Sequence, residues 1–106
     1  MGRHQHHMDE EAYSIVKNEC RDYLRRREII KKGKASEDVI IGSLILNHAF
    51  ERAVQGFEKA EVEAYCSDIV YDRGYCNSAI LPYISHRIYV YRKQDFAHAV
   101  ADMLGL

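Results

Sequence analysis

Two groups of residues have the type and density to do chemistry. The first is basic: Arg21, Arg25, Arg26, Arg27, Lys31, Lys32 and Lys34 stand close together, opposed only by Asp22 and Glu28. The window carries +5 in a chain of formal charge −1, which leaves −6 for the remainder. Such a cluster can neutralise a phosphate backbone or an acidic protein surface. Arg21, Arg25, Arg26, Lys31, Lys32 and Lys34 are therefore candidate contacts to nucleic acid or to an acidic partner. Helical geometry limits the idea, because Arg25, Arg26 and Arg27 fan over about 200° and cannot share one stripe. Arg27 falls on the apolar seam between Tyr23 and Ile30, where it would need a carboxylate partner. Dedicated nucleic-acid binders are also basic overall, and this chain is not.

The second group is aromatic. Tyr65, Tyr71, Tyr75, Tyr83, Tyr89 and Tyr91 fall in one segment, interleaved with Arg73, Arg87, Arg92 and Lys93. Tyr and Arg are enriched at protein–protein hot spots because they bury large areas while keeping a polar tip. Tyr75, Tyr83, Arg87, Tyr89, Tyr91 and Arg92 are thus candidate partner-binding residues. The same mixture could stack on single-stranded bases, and any single ring could form the edge of the core.

Catalytic and metal-binding constellations are weak. Asp95, His98 and Asp102 sit at i, i+3 and i+7 and could share a helix face, but such sets arise often by accident. Ser43, Asn47, His48 and Glu51 form a polar seam in an apolar segment. A nucleophile, base and acid on one helix lack the independent placement and oxyanion site that acyl transfer requires, so the seam reads as a strip that fixes helix register or meets a partner. Cys20, Cys66 and Cys76 form no C-x-x-C pair and read as reduced structural thiols, with a Cys66–Cys76 bridge as a minor alternative. No motif calls for a cofactor or a metal.

The stretch Arg92-Lys93-Gln94-Asp95-Phe96-Ala97-His98 places an Arg and a His six residues apart. It resembles, faintly, the R-x(4–6)-H element of HEPN-type helical ribonucleases. The resemblance is confined to this stretch, and Lys93 departs from the polar residue that usually follows the Arg. It implies a ribonuclease in which Arg92 and His98 would act.

The elements that must position these residues are helical. Asp9 to Lys32 carries acids in its first turn and bases in its last, with Tyr13, Val16, Cys20 and Tyr23 at helical spacing and Gly33 as its stop. Ser36 caps a second helix over 37–57, apolar almost all round in its first turns. That pattern predicts the buried central helix of the domain, or one packed against a second copy. A third helix is expected over 59–71. Residues 78–93 fit either period: a helix with Pro82 in its first turn, or strand-forming Ile88-Tyr89-Val90-Tyr91. Asp95 reads as the cap of a last short helix over 96–104.

The resulting expectation is a mainly α, small single-domain bundle of four to five helices over 9–106. The alternative is α+β with a hairpin around 64–71 and 84–92. Residues 1–8, rich in His, read as an appended disordered leader. The longest apolar run, Val39 to Leu46, is far short of the ~20 residues a bilayer demands. The chain is therefore read as a cytoplasmic interaction module: an adaptor, inhibitor or regulator with a protein partner, no membrane, and a homodimer open. A nucleic-acid-binding regulator using 21–34 is the second reading, and a HEPN-like ribonuclease the third. An enzyme is the less favoured class.

Overall fold

The computed structural model describes residues 8–74 and 84–106, and these contain four helices and no strand. Local signals set most of the ends. In α1 (Glu10–Lys32) the Asp9 carboxylate accepts the Ala12 N–H at 2.7 Å, and Glu10 and Glu11 oppose Lys31 and Lys32 along the dipole. Gly33 closes the helix at φ 64, a left-handed conformation that disfavours a side chain. In α2 (Glu37–Ala53) the Ser36 hydroxyl accepts from the Val39 N–H. In α3 (Lys59–Tyr71) the Glu61 carboxylate reaches back to the Glu58 N–H at 3.1 Å. In α4 (His86–Met103) the Ser85 hydroxyl accepts the Ile88 N–H at 3.2 Å.

Several boundaries differ from expectation for packing reasons. α2 stops at Ala53 rather than Phe57, because the chain turns at Val54 to fold the Phe57 ring onto Tyr65 and Phe96, edge-on at 6.1 and 5.4 Å. α4 does not break at Asp95. It begins at His86 and continues unbroken to Met103, because Tyr89, Phe96 and Val100 lie on one buried stripe with no Gly or Pro between them. The hairpin alternative fails for the same reason: residues 64–71 belong to α3 and 86–92 to α4. The expected first turn over 78–83, with Pro82 in it, falls outside the described residues. Met8 is partly buried against the core.

The central helix is α1, not α2. It packs against all three others, while α2 and α3 lie on either side of it with little direct contact. Val16, Cys20 and Tyr23 of α1 meet Phe50, Val54, Tyr65, Cys66, Phe96 and Val100 in one continuous core. Tyr23 stacks on Phe50 at 4.3 Å, and Tyr65 meets Tyr89 edge-on at 5.2 Å. Each of these three tyrosines also satisfies its hydroxyl on a carboxylate: Tyr23 on Glu51 at 2.7 Å, Tyr65 on Glu61 at 2.9 Å and Tyr89 on Asp68 at 2.7 Å. Burial first, and then the acceptor carboxylate, hold the Tyr23 and Tyr65 phenols above their ordinary pKa. Cys20 and Cys66 are buried free thiols, and contact with Cys20 together with burial pushes the Cys66 thiol up, as suits structural residues.

Candidate functional site

The orientation of α2 reverses what its composition predicts. The buried residues on its inward face are Ser43, Asn47 and Phe50, two of them polar. The Asn47 side-chain oxygen accepts the Arg26 Nε–H at 2.6 Å, and its amide donates to the Tyr23 carbonyl at 3.2 Å. Arg26, itself buried, completes the network by donating to Glu19 at 2.8 Å. These bonds leave few unpaired polar groups in the interior and dictate which face of α2 meets α1.

The consequence is an apolar face turned to solvent. Ile41, Leu44, Ile45 and Leu46 are 46%, 48%, 64% and 55% exposed, and Val39 and Ala49 are exposed beside them. Scattered exposed apolar residues need no explanation, but Ile41 and Ile45 lie about 40° apart on the outward side with Leu44 and Leu46 on its two flanks, and such a grouping marks an interaction surface. The apolar pattern predicts these residues either in the interior of the domain or against a second copy, and within the single chain they are not interior. The signal that could have found them is the second stripe, Ser43, Asn47, Phe50 and Val54, whose spacing of four, three and four offers α2 an alternative inward face.

The tyrosine-rich set disperses. Tyr89 is a core residue and is corrected as a contact candidate, since its ring lies against Tyr65 and its hydroxyl is spent on Asp68. Arg92 makes a two-pronged pair with Glu61, reaches the Gly56 carbonyl at 3.3 Å and stacks its guanidinium over Phe57 at 4.7 Å. Arg87 and Tyr91 are exposed neighbours on α4, the guanidinium 5.9 Å from the ring centroid. Tyr75 and Tyr83 lie outside the described residues.

The basic segment disperses as well. Arg26 is buried and is corrected as a surface contact, because its guanidinium serves Asn47 and Glu19. Arg25 pairs with Asp22 at 3.1 Å and Arg27 with Glu63 at 2.9 Å, so the carboxylate that Arg27 required comes from α3. Arg21 donates to Asn18 at 2.8 Å. Lys31, Lys32 and Lys34 remain exposed at the end of α1. Arg21, Arg25 and Lys31 edge an open groove of about 1020 Å³ between α2 and α3, but Glu28, Glu51 and Glu63 line it too. Its charge is mixed rather than a basic track.

The weaker constellations also resolve. Asn47 and Ser43 point inward while His48 is exposed, so the polar seam of α2 divides between two faces and serves register. Among the described residues no three His, Cys, Asp or Glu side chains are placed to hold a metal ion. Among them, too, no helix is long and apolar enough to cross a membrane. Arg92 is a structural residue of the α3–α4 contact. The Arg92→Ala variant is expected to lose about 1–2 kcal/mol, read as a lower melting temperature, because Glu61 is left largely buried without its cation.

No family model, curated protein or solved structure matches the chain. Function therefore rests on the residues themselves, and the outward face of α2 is their most distinctive arrangement.

Proposed function

We propose that this chain is a small helical protein-interaction module, an adaptor, inhibitor or regulator of a macromolecular partner, with no catalytic activity of its own. The observation that carries the reading is the apolar face of α2. Ile41, Leu44, Ile45 and Leu46 project into solvent while Asn47 and Ser43 occupy the interior. Ile41, Leu44 and Ile45 stand at i, i+3 and i+4, the spacing of the anchors in helix-mediated recognition, with Leu46 on the flank. The buried Arg26–Asn47 bond supports the reading further, since it holds that face outward before any partner arrives. Of the two residues the ribonuclease reading would use, Arg92 is engaged by Glu61.

The test is the size of the native assembly in an extract of the natural host. The unaltered chain is expected to elute in a complex larger than a monomer. The Ile45→Glu/Leu46→Glu variant is expected to elute as a monomer while melting at nearly the same temperature, because both positions are exposed. Monomeric elution of the unaltered chain would refute the reading.

A further inference from the structure

We propose that the partner seated on the apolar face of α2 is a second copy of this chain, with the two α2 helices antiparallel about a two-fold axis at Ile45. The inference rests on the interaction reading above and names its partner.

Three observations converge on a second copy. The first is a seam. Asp38, Gly42, Ile45, Ala49 and Arg52 follow one another at spacings of four, three, four and three, the repeat by which two helices hold a common line of contact. This seam lies about 150° around α2 from the buried stripe of Ser43, Asn47, Phe50 and Val54. One face is thus committed to the fold and the other is left over.

The second is Gly42. Glycine inside a helix lowers its stability relative to alanine, so it calls for a reason, and the fold of the single chain supplies none. A Cβ built at Gly42 would have nothing within 4 Å. A second helix does supply one, because with the axis at Ile45 the missing side chain at Gly42 leaves room for His48 of the second copy, as small residues permit short distances between helix axes.

The third is charge. Asp38 and Arg52 stand at opposite ends of the seam, and neither makes an ion pair among the described residues. Residues equidistant from Ile45 oppose one another when two copies pair antiparallel. Asp38 then meets Arg52 of the second copy, Arg52 meets its Asp38, and Ile41 faces the small Ala49. Parallel pairing would set like charge on like. A surface that complements itself under a two-fold rotation is what an isologous dimer requires, whereas a foreign partner would need no such internal match.

Sedimentation equilibrium of the purified chain across micromolar concentrations tests the proposal. A reversible dimer is expected, of micromolar rather than nanomolar affinity because the seam is only a few helical turns long. Ile45→Glu should give a monomer at every concentration. Asp38→Arg and Arg52→Asp should each weaken the dimer by about tenfold through two repulsive contacts, and combining them should restore it. Gly42→Leu has open space in the single chain, so it should keep or raise the melting temperature of the monomer while weakening the dimer. A monomeric wild-type protein would overturn the proposal, as would a dimer indifferent to Ile45→Glu or one that the double charge exchange fails to rescue. A monomer in pure solution together with a large complex in host extract would refute only the second copy. A monomer in both would refute the interaction reading itself.

Discussion

Replacing Phe96 by alanine is expected to destabilise the protein by about 3–5 kcal/mol. Phe96 is fully buried and is the ring on which the separate elements converge. It lies 6.1 Å from Phe50 of α2, 5.4 Å from Phe57 in the α2–α3 connection and 5.7 Å from Tyr65 of α3, while α4 holds it in place. Truncation therefore removes contacts from each of these elements at once. The void it leaves is walled by Phe50, Phe57 and Tyr65, and the Tyr65 ring cannot move into it without straining its hydroxyl bond to Glu61. A domain of this size has a total stability of roughly 5–15 kcal/mol, so the loss would take a large share of it. Urea denaturation followed by circular dichroism checks this: the midpoint should fall sharply while the slope of the transition stays unchanged. A midpoint shift no larger than that of an exposed alanine substitution would contradict the described core.

Asp68→Ala is expected to be of similar severity, about 3–5 kcal/mol, for an electrostatic reason. The Asp68 carboxylate is buried and accepts three bonds: from the Tyr89 hydroxyl at 2.7 Å, from the Gly74 N–H at 2.8 Å and from the Lys93 ammonium at 3.0 Å. Its loss strands a buried hydroxyl and an ammonium, and it also releases the chain leaving α3, where Asp72 adopts the left-handed φ of 54. The same carboxylate shapes the response to acid. Burial alone would raise its pKa, but the bonds from Tyr89, Gly74 and Lys93 outweigh burial and hold it below the ordinary aspartate value. Glu61 is likewise held below the ordinary glutamate value: burial opposes this, and Arg92, the Glu58 N–H and Tyr65 prevail. A carboxylate depressed in the folded state contributes stability that is present above its unfolded pKa and is lost as pH falls through its folded pKa. Stability should hold at neutral pH and decline below the ordinary carboxylate range. In Asp68→Asn, whose baseline stability is lower, that acid-side decline should be shallower. An unchanged pH profile in that variant would contradict the role assigned to Asp68.

The two effects differ in how visible they are beforehand. Phe96 can be read from its own neighbourhood, since Phe96 and Val100 repeat at helical spacing. Asp68 cannot, because its partners Tyr89 and Lys93 are 21 and 25 residues away. Nothing within a turn of Asp68 distinguishes it from any solvated aspartate. The tyrosine-rich segment misled for a related reason. A tyrosine is suited both to an interface and to a core with an acceptor at hand, and only the positions of Glu61 and Asp68 decide for Tyr65 and Tyr89.

The sequence by itself determined what depends on near neighbours. Asp9, Ser36 and Gly33 mark ends of α1 and α2, the acids and bases suit the dipole of α1, and the apolar spacing points to a mainly helical bundle. Capping and periodicity act within a few residues, so a short window contains both partners of each interaction. Tertiary structure alone decided which helix lies at the centre and which way α2 turns. Judged by hydrophobicity, α2 should be engulfed, for its first turns are apolar on nearly every side. Its orientation is instead fixed by Asn47 bonding to Arg26, 21 residues away on another helix, together with Tyr23 stacking on Phe50. A buried guanidinium must find its acceptors, and once Asn47 supplies one, the face that carries Asn47 is the face that turns inward. The apolar face opposite is left in solvent, and it carries the functional reading.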